Sequence, residues 1–517
     1  MIFNKGMTTN DLFLRAFYRH PGKKALIDGR YKYSYEDLNK ESNRLANAIL
    51  SLGIKKGEKV ALLAKNCKEF VFMYLGLSKI GGVMVPLNYR CVARELEYML
   101  NDCGANVLVF EGEYAQTVAQ LKELVPQLST FVSIGECDLP FITTYDAFVS
   151  KPSIAEPNVN VLEDDECSIL YTSGTTGKPK GAVITHRTRV ACTVNMLMDG
   201  SVEEGGISLQ ASPLFHAGAQ NIGLLPYLST GGAVALIPFL SPEQISKTIE
   251  TEKVTHIVTV PTILHNMLEE GSFDKFDFSS LRKIYYGGSA ISLTDLERIL
   301  KRLPKVEFFQ GYGQTESAQL TVLKPEYHVT KFGRTGRPHL LVDLRVVDEN
   351  DQDVPPRGTG EVVTRGPHLM KGYLNLPKAN EEAFRNGWFH TGDVAQIDED
   401  RFITIAGRKT EMIISGGENI YPREIEIVLN THPEISEVAV FGIPDEKWGE
   451  SVCAAVILKE GKTLTEEKVI NYCKENLASY KKPRKVVFCT AFPKNPVGKV
   501  QKDELKKQVL EGIGRKD

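Results

Sequence analysis

Within the ten residues Thr172-Ser173-Gly174-Thr175-Thr176-Gly177-Lys178-Pro179-Lys180-Gly181 the chain gathers four hydroxyls, two lysines and three glycines. That is chemistry for a polyphosphate. Glycines let the backbone turn so that successive N–H groups face one anion, and hydroxyls and ammonium groups complete the cradle. The loop of kinases and GTPases has Gly-Lys followed by Ser or Thr, whereas here Pro179 follows Gly177-Lys178 and has no N–H to give. Read alone, such a cluster also serves as a surface linker. A second set, Gln310-Gly311-Tyr312-Gly313-Gln314-Thr315-Glu316, supplies an aromatic plane, a hydroxyl and a carboxylate, although Gly-x-Gly before Thr-Glu is also a turn entering a helix. Trp388-Phe389-His390-Thr391-Gly392-Asp393 is read as a turn presenting a carboxylate that could accept from two sugar hydroxyls; the plainer use of Gly-Asp is a tight turn alone. Pro493-Lys494-Asn495-Pro496-Val497-Gly498-Lys499-Val500 presents Lys499, a residue type that is most often a solvated surface group.

The ten-residue string resembles the phosphate loop of the adenylate-forming (AMP-binding) superfamily, which includes acyl-CoA and aryl-CoA ligases, adenylation domains of peptide synthetases and firefly luciferase. The other motifs follow in that family's order, and the resemblance runs from about residue 10 to about residue 510. It implies that Thr172, Ser173, Gly174, Thr175, Thr176, Gly177 and Lys180 hold the phosphates of ATP, with Thr175 and Glu316 on Mg2+, whose liking for hard oxygen ligands suits them. Tyr312, within Gln310, Gly311 and Gly313, would stack on adenine, and Thr315 would bond the α-phosphate. Gly288, Ser289 and Ala290 would border adenine and the acyl pocket, while Asp393 and Arg408 would serve the ribose. Ser212-Pro213-Leu214-Phe215-His216-Ala217-Gly218 resembles the stretch reaching the acyl tunnel, with His216 as a gate, though a histidine in an aromatic loop is as readily a packed core residue. Gly218, Gly223, Gly287 and Gly288 are read as leaving room for an elongated or ring-shaped acid. In Ile413 to Glu426, Gly416 and Gly417 would line the pantetheine tunnel of coenzyme A, and Trp448 would touch CoA or simply pack at the surface.

Lys499 matches the family's catalytic lysine, a cation for the charge that builds as a carboxylate attacks the α-phosphorus. The implied activity is that of an acid-thiol ligase: carboxylate and Mg-ATP give acyl-adenylate and pyrophosphate, then CoA expels AMP, with a hydrophobic monocarboxylic acid, a fatty acid, as the expected substrate. An aryl or cyclic acid, an enzyme loading a carrier protein, and an inactive sensor of acyl-AMP are the alternatives. Relatives commonly carry Asp or Lys at the pivot position with Asp beside it, where this chain has Thr410 and Glu411.

Those residues need a scaffold. A chain of 517 residues exceeds one compact core. Leu38, Leu45, Ile49 and Leu52 predict a helix over 35–52 stopped by Gly53, followed by a strand over 59–64, a helix over 69–80 broken at Gly81-Gly82, and an extended run from Val83. The same alternation over 95–110 and 242–260 predicts an α/β fold with parallel sheet under helices. After about residue 340 short strands between turn residues predict antiparallel sheet or a distorted barrel. The resemblance divides the chain into a large N-terminal domain (1–407), a hinge at 408–411 and a small mobile α+β C-terminal domain (412–517). The balance of 62 basic and 65 acidic residues leaves no bulk field for nucleic acid or an anionic membrane. No secretory leader, no run of about 18 apolar residues and no carrier domain after Asp517 is expected. Nine cysteines without a Cys-x-x-Cys pair read as reduced thiols of a cytoplasmic protein. His328 and His339 are too widely spaced to suggest zinc. The partners are small molecules, with a homodimer left open.

Overall fold

The computed structural model of the protein describes residues 6–172, 178–289, 291–415, 418–445, 447–494 and 500–513. The first long helix, Tyr35–Ser51, is opened by a reciprocal cap in which the Ser34 hydroxyl accepts from the Asp37 N–H and the Asp37 carboxylate accepts from the Ser34 N–H. It buries Leu38, Leu45 and Ile49 against the helix Lys68–Ile80. That second helix is buried nearly all round and ends at Gly81, whose φ of 66° suits a residue without Cβ. The predicted strand and helix pairs follow: Lys59–Leu63, Val83–Pro86, Ala93–Cys103 with Val107–Glu111, and Pro242–Glu252 with His256–Thr259.

Among the described residues these elements build two large sheets. In one, six neighbouring strands run parallel in the order Lys24–Asp28, Ala233–Leu236, Ile207–Gln210, His256–Thr259, Lys283–Gly287 and Glu307–Gln314. Antiparallel strands Tyr31–Ser34 and Ala318–Leu323 flank them. The other sheet has Val107–Glu111, Lys59–Leu63, Val83–Pro86 and Glu166–Thr172 in parallel, then turns antiparallel at Lys180–Thr185. The antiparallel texture after residue 340 is a four-stranded sheet, Asp343–Val347, Thr359–Arg365, Phe389–Ile397 and Ile403–Arg408. Its outer strands do not pair with each other among the described residues; Ile403 instead bridges to Gly336, carrying the sheet on toward its neighbours. Residues from Ile413 on contribute to a sheet of their own, in which Ile435–Asp445 pairs with Gly449–Leu458 and Lys485–Phe488 lies parallel to the latter. The helix Pro422–Leu429 of this last unit packs on the strand Ile403–Arg408. No helix is long and apolar enough to cross a membrane, among the described residues.

Both predicted nucleotide motifs sit at antiparallel hairpins. The phosphate string joins Glu166–Thr172 to Lys180–Thr185, and the Tyr-Gly motif ends Glu307–Gln314 before the chain returns as Ala318–Leu323. The second motif runs directly into an antiparallel strand, so the turn entering a helix weighed for it is a turn between strands. The glycines of that hairpin are fixed by space. A Cβ on Gly313 would lie 1.8 Å from the Ala318 carbonyl oxygen, and one on Gly311 would lie 2.1 Å from the Tyr285 hydroxyl. Gly313→Ala is therefore expected to destabilise the protein by about 1–3 kcal/mol through overpacking against backbone, read as a lower midpoint in chemical denaturation; an unchanged midpoint would contradict this packing.

Candidate active site

Asp393 lies in the strand Phe389–Ile397, not in the free turn expected for it. A bulge opposite Glu361–Val363 makes room there for Thr391 and Gly392, with Gly392 at φ 71°. The carboxylate is 7 % exposed. The Tyr312 hydroxyl donates to its Oδ2 at 2.7 Å and the Gln314 amide donates to the same oxygen at 2.5 Å. Arg408 Nε stands 3.4 Å from Oδ1. Gln314 also donates to the Thr391 carbonyl at 2.9 Å, which pins the hairpin end to the bulge. Burial, with Asp393 adding to it, holds the Tyr312 phenol protonated far above its usual range, so it remains a donor.

Glu316 follows in the hairpin turn. Its Oε1 accepts from Tyr373 at 3.0 Å and from Thr172 at 3.4 Å, so the carboxylate of one hairpin meets the first residue of the phosphate string of the other. The Glu316 carbonyl accepts from the Met370 N–H at 2.8 Å. Lys180, at the far end of the string, lies 5.1 Å from the centroid of the Tyr373 ring. Both motifs, 144 residues apart in sequence, are thus tied into one patch. The oxygen donors of Glu316 and Thr172 are hard ligands of the kind magnesium takes with a polyphosphate, where one or two carboxylates suffice.

Gln310 accepts from the Tyr286 hydroxyl at 3.1 Å. Gly288 has φ 80° and an open Cβ position, with Val260 3.9 Å away; Ser289 is exposed. Gly218 is equally open. Gly223 and Gly287 offer no room, since a Cβ there would meet Gln210 at 2.3 Å or the Gly311 carbonyl at 2.7 Å. The space read for an acid therefore lies at Gly218 and Gly288 alone of the four. His216 packs on Phe215 with ring centroids 4.2 Å apart, its Nε2 buried without a partner among the described residues. Burial, with the Arg90 charge adding to it, pushes the imidazole down to about 4, so it is neutral near pH 7. Ala217 packs with Met370 and Tyr373, which places this loop beside Glu316.

Trp448 is partly exposed between cations, Arg484 4.3 Å and Lys447 4.9 Å from its ring. Ser173, Gly174, Thr175, Thr176, Gly177, Ala290, Gly416, Gly417 and Lys499 lie outside the described residues. Sequence reading missed Tyr373, Gln314 as a donor, and Glu361. The Glu361 Oε2 is 3.3 Å from His390 Nδ1 and 3.4 Å from Lys409 Nζ, and its Oε1 accepts from the Gly392 N–H. Burial opposes the charge on Glu361, but His390 and Lys409 outweigh it and hold the carboxyl below its usual range.

Residues 13–374 match the model of the AMP-binding enzyme family, and residues 424–499 match that of the AMP-binding enzyme C-terminal domain. The chain is 36% identical to a feruloyl-CoA synthase from Amycolatopsis sp, over 94% of this chain and 96% of that one. It is 35% identical to the long-chain-fatty-acid–CoA ligase FadD13 of Mycobacterium tuberculosis, over 92% and 93%. Among solved structures, the o-succinylbenzoate CoA synthetase of Bacillus subtilis in complex with its acyl-adenylate intermediate superposes with a TM-score of 0.84 at 30% identity, covering 97% of this chain and 98% of that one.

Asp393→Asn keeps the size but removes the charge facing Arg408 and leaves one acceptor oxygen where Tyr312, Gln314 and Arg408 now share two, so the KM for ATP should rise by about tenfold or more, the scale of one lost charge-assisted bond, and the melting midpoint should fall. An unaltered KM would remove Asp393 from the nucleotide site. At His216 the folded value near 4 lies below the roughly 6.5 of an unfolded histidine. Protons therefore favour the unfolded chain between those values, and stability falls on acidification through that window and is unaffected above it. His216→Asn should reduce the drop in urea midpoint between about pH 7 and pH 5; an identical drop would show that the imidazole is not buried neutral.

Proposed function

The chain belongs to the AMP-binding enzyme family, and on that premise we propose that this acid–thiol ligase activates a hydrophobic monocarboxylic acid, first of all a fatty acid, as an acyl-adenylate and passes the acyl group to CoA. The reading rests on the convergence of two hairpins and a hinge-side arginine on one patch: Tyr312, Gln314 and Arg408 at Asp393, with Glu316, Thr172 and Tyr373 beside them. The acid's carboxylate oxygen attacks the α-phosphorus of ATP, and the bond to pyrophosphate breaks. The thiolate of CoA then attacks the acyl carbon, and AMP leaves with the oxygen it gained.

Asp393 is suited to accept the ribose hydroxyls, with its acceptor capacity held in place by Tyr312, Gln314 and Arg408. Tyr312 is the aromatic plane for adenine, and Thr315 the hydroxyl for the α-phosphate. Magnesium would be held by Glu316 and Thr175 and would neutralise the polyphosphate. Neutral His216, at the loop packed beside Tyr373, lets an apolar acid approach without a fixed positive charge on that side chain. Open space at Gly218 and Gly288 supports an apolar substrate. A ring-shaped acid is the second reading, favoured by the aromatic cluster of Tyr89, Phe215 and His216. Residues 1–407 are taken as the body, 408–411 as the hinge and 412–517 as the lid carrying Lys499, in keeping with the separate sheet after Ile413. The nine free cysteines suit a reducing compartment, the cytoplasm.

Acid-dependent exchange of labelled pyrophosphate into ATP, run over a panel of fatty and aryl acids, tests the activity and chooses between the two readings. Lys499→Ala should lower adenylation by about a hundredfold or more, the scale of a removed charge-stabilising group, while thioester formation from supplied acyl-adenylate falls far less. Equal loss of both steps would count against a lysine delivered for the first step only.

A further inference from the structure

Arg189 is 3 % exposed, in the helix His186–Met198, and every partner of its guanidinium among the described residues is neutral. Nε donates to the Cys167 sulfur at 3.2 Å, Nη1 to the Tyr74 hydroxyl at 2.8 Å, and Nη2 to both Ser168 Oγ at 2.8 Å and Gln220 Oε1 at 2.6 Å. The Tyr74 ring lies 4.5 Å from the guanidinium carbon. Burying a cation without a carboxylate is costly unless its donors are well used, and the use made of these donors is directional.

Gln220 hands the bond on. Its Nε2 donates to the Leu214 carbonyl at 2.6 Å, so a side chain at the start of the π-helix Ala219–Leu224 reaches back and closes the loop that carries His216. From the other side Asn66 Oδ1 accepts from the Leu214 N–H at 2.7 Å and its amide donates to the Ser212 carbonyl at 3.0 Å. One polar chain thus runs from Cys167 and Ser168, on the strand that ends at Thr172, through Arg189 and Gln220 to the loop at Leu214. Irregular π-turns cluster at functional sites because they cost regular helix bonds.

We infer that Arg189 is a positioning residue for acid binding: through Gln220 it sets the shape of the Ser212–Gly218 loop and fixes that loop in register with the strand leading to the phosphate string. The inference rests on the proposed acid-activating function, since it takes this loop as the wall met by the acid. A cation whose only duty was to fill the core would be served as well by a carboxylate at position 220, which would pair with the guanidinium more strongly. A positioning role would not, because Gln220→Glu keeps the bond to Arg189 but loses the N–H that holds Leu214.

The test compares Arg189→Met and Gln220→Glu with the wild type, by hydrogen–deuterium exchange over residues 212–224 and by KM for a saturating-range acid and for ATP in pyrophosphate exchange. In both variants amide exchange across 212–224 should quicken, and the KM for the acid should rise by about tenfold while that for ATP stays within about twofold, the scale of one lost buried hydrogen bond at one substrate. Unchanged exchange across 212–224 in Gln220→Glu, or ATP and acid KM values rising together, overturns the inference. If Arg189→Met does not fold, Gln220→Glu alone decides. A wild type that never exchanges pyrophosphate with any acid defeats the proposed activity instead, and the amide-exchange comparison still decides whether Arg189 shapes the loop.

Discussion

A carboxylate that is nearly buried must have its charge met by donors from somewhere, and at Asp393 Tyr312 and Gln314 bring them from one part of the chain and Arg408 from another. Tyr312 and Gln314 arrive on the last residues of a parallel-sheet strand, Thr391 and Gly392 bend the carboxylate's own strand, and Arg408 stands at the end of the neighbouring antiparallel strand. Charge-assisted bonds of this kind contribute more than neutral ones, and each lost donor leaves desolvated charge behind. The consequence is geometric: Asp393 ties the end of the large sheet to the antiparallel sheet and to Arg408. Glu316 repeats the pattern on a smaller scale, with Tyr373 and Thr172 linking the two hairpins.

The elements legible in advance were those with a strong local period. The helix over 35–52 and the helix over 69–80 were recoverable because one-face burial of Leu38, Leu45 and Ile49, or burial on all sides around Phe70 and Leu77, leaves a trace in spacing. What spacing could not carry was pairing. Nothing local says that the residues after Pro179 return antiparallel beside Glu166–Thr172, or that Asp393 sits in a bulge instead of a turn, since both depend on a partner strand far away. Tyr373, 57 residues from Glu316, left no signal for the same reason. Glu361 and Arg189 illustrate a second blindness. A buried polar residue in a sequence looks like a solvated one until its donors and acceptors are known.

Around the proposed hinge, 408–411, side chains narrow where a motion could occur. Arg408 and Lys409 are held by carboxylates of the antiparallel sheet, Asp393 and Glu361. Two residues on, Glu411 lies 3.3 Å from Lys502, whose ammonium is also 2.7 Å from Glu426. Burial disfavours the Lys502 charge, but those two carboxylates outweigh it and raise its pKa. So the chain is gripped by the body up to residue 409 and by the terminal unit from residue 411. If the unit after this stretch rotates as proposed, the bonds on either side can survive only when the turning is confined to the backbone of Thr410. A threonine there, in place of a charged residue, then has a physical reading: the charges that anchor the two sides stand at 409 and 411, and the residue between them need not hold either side.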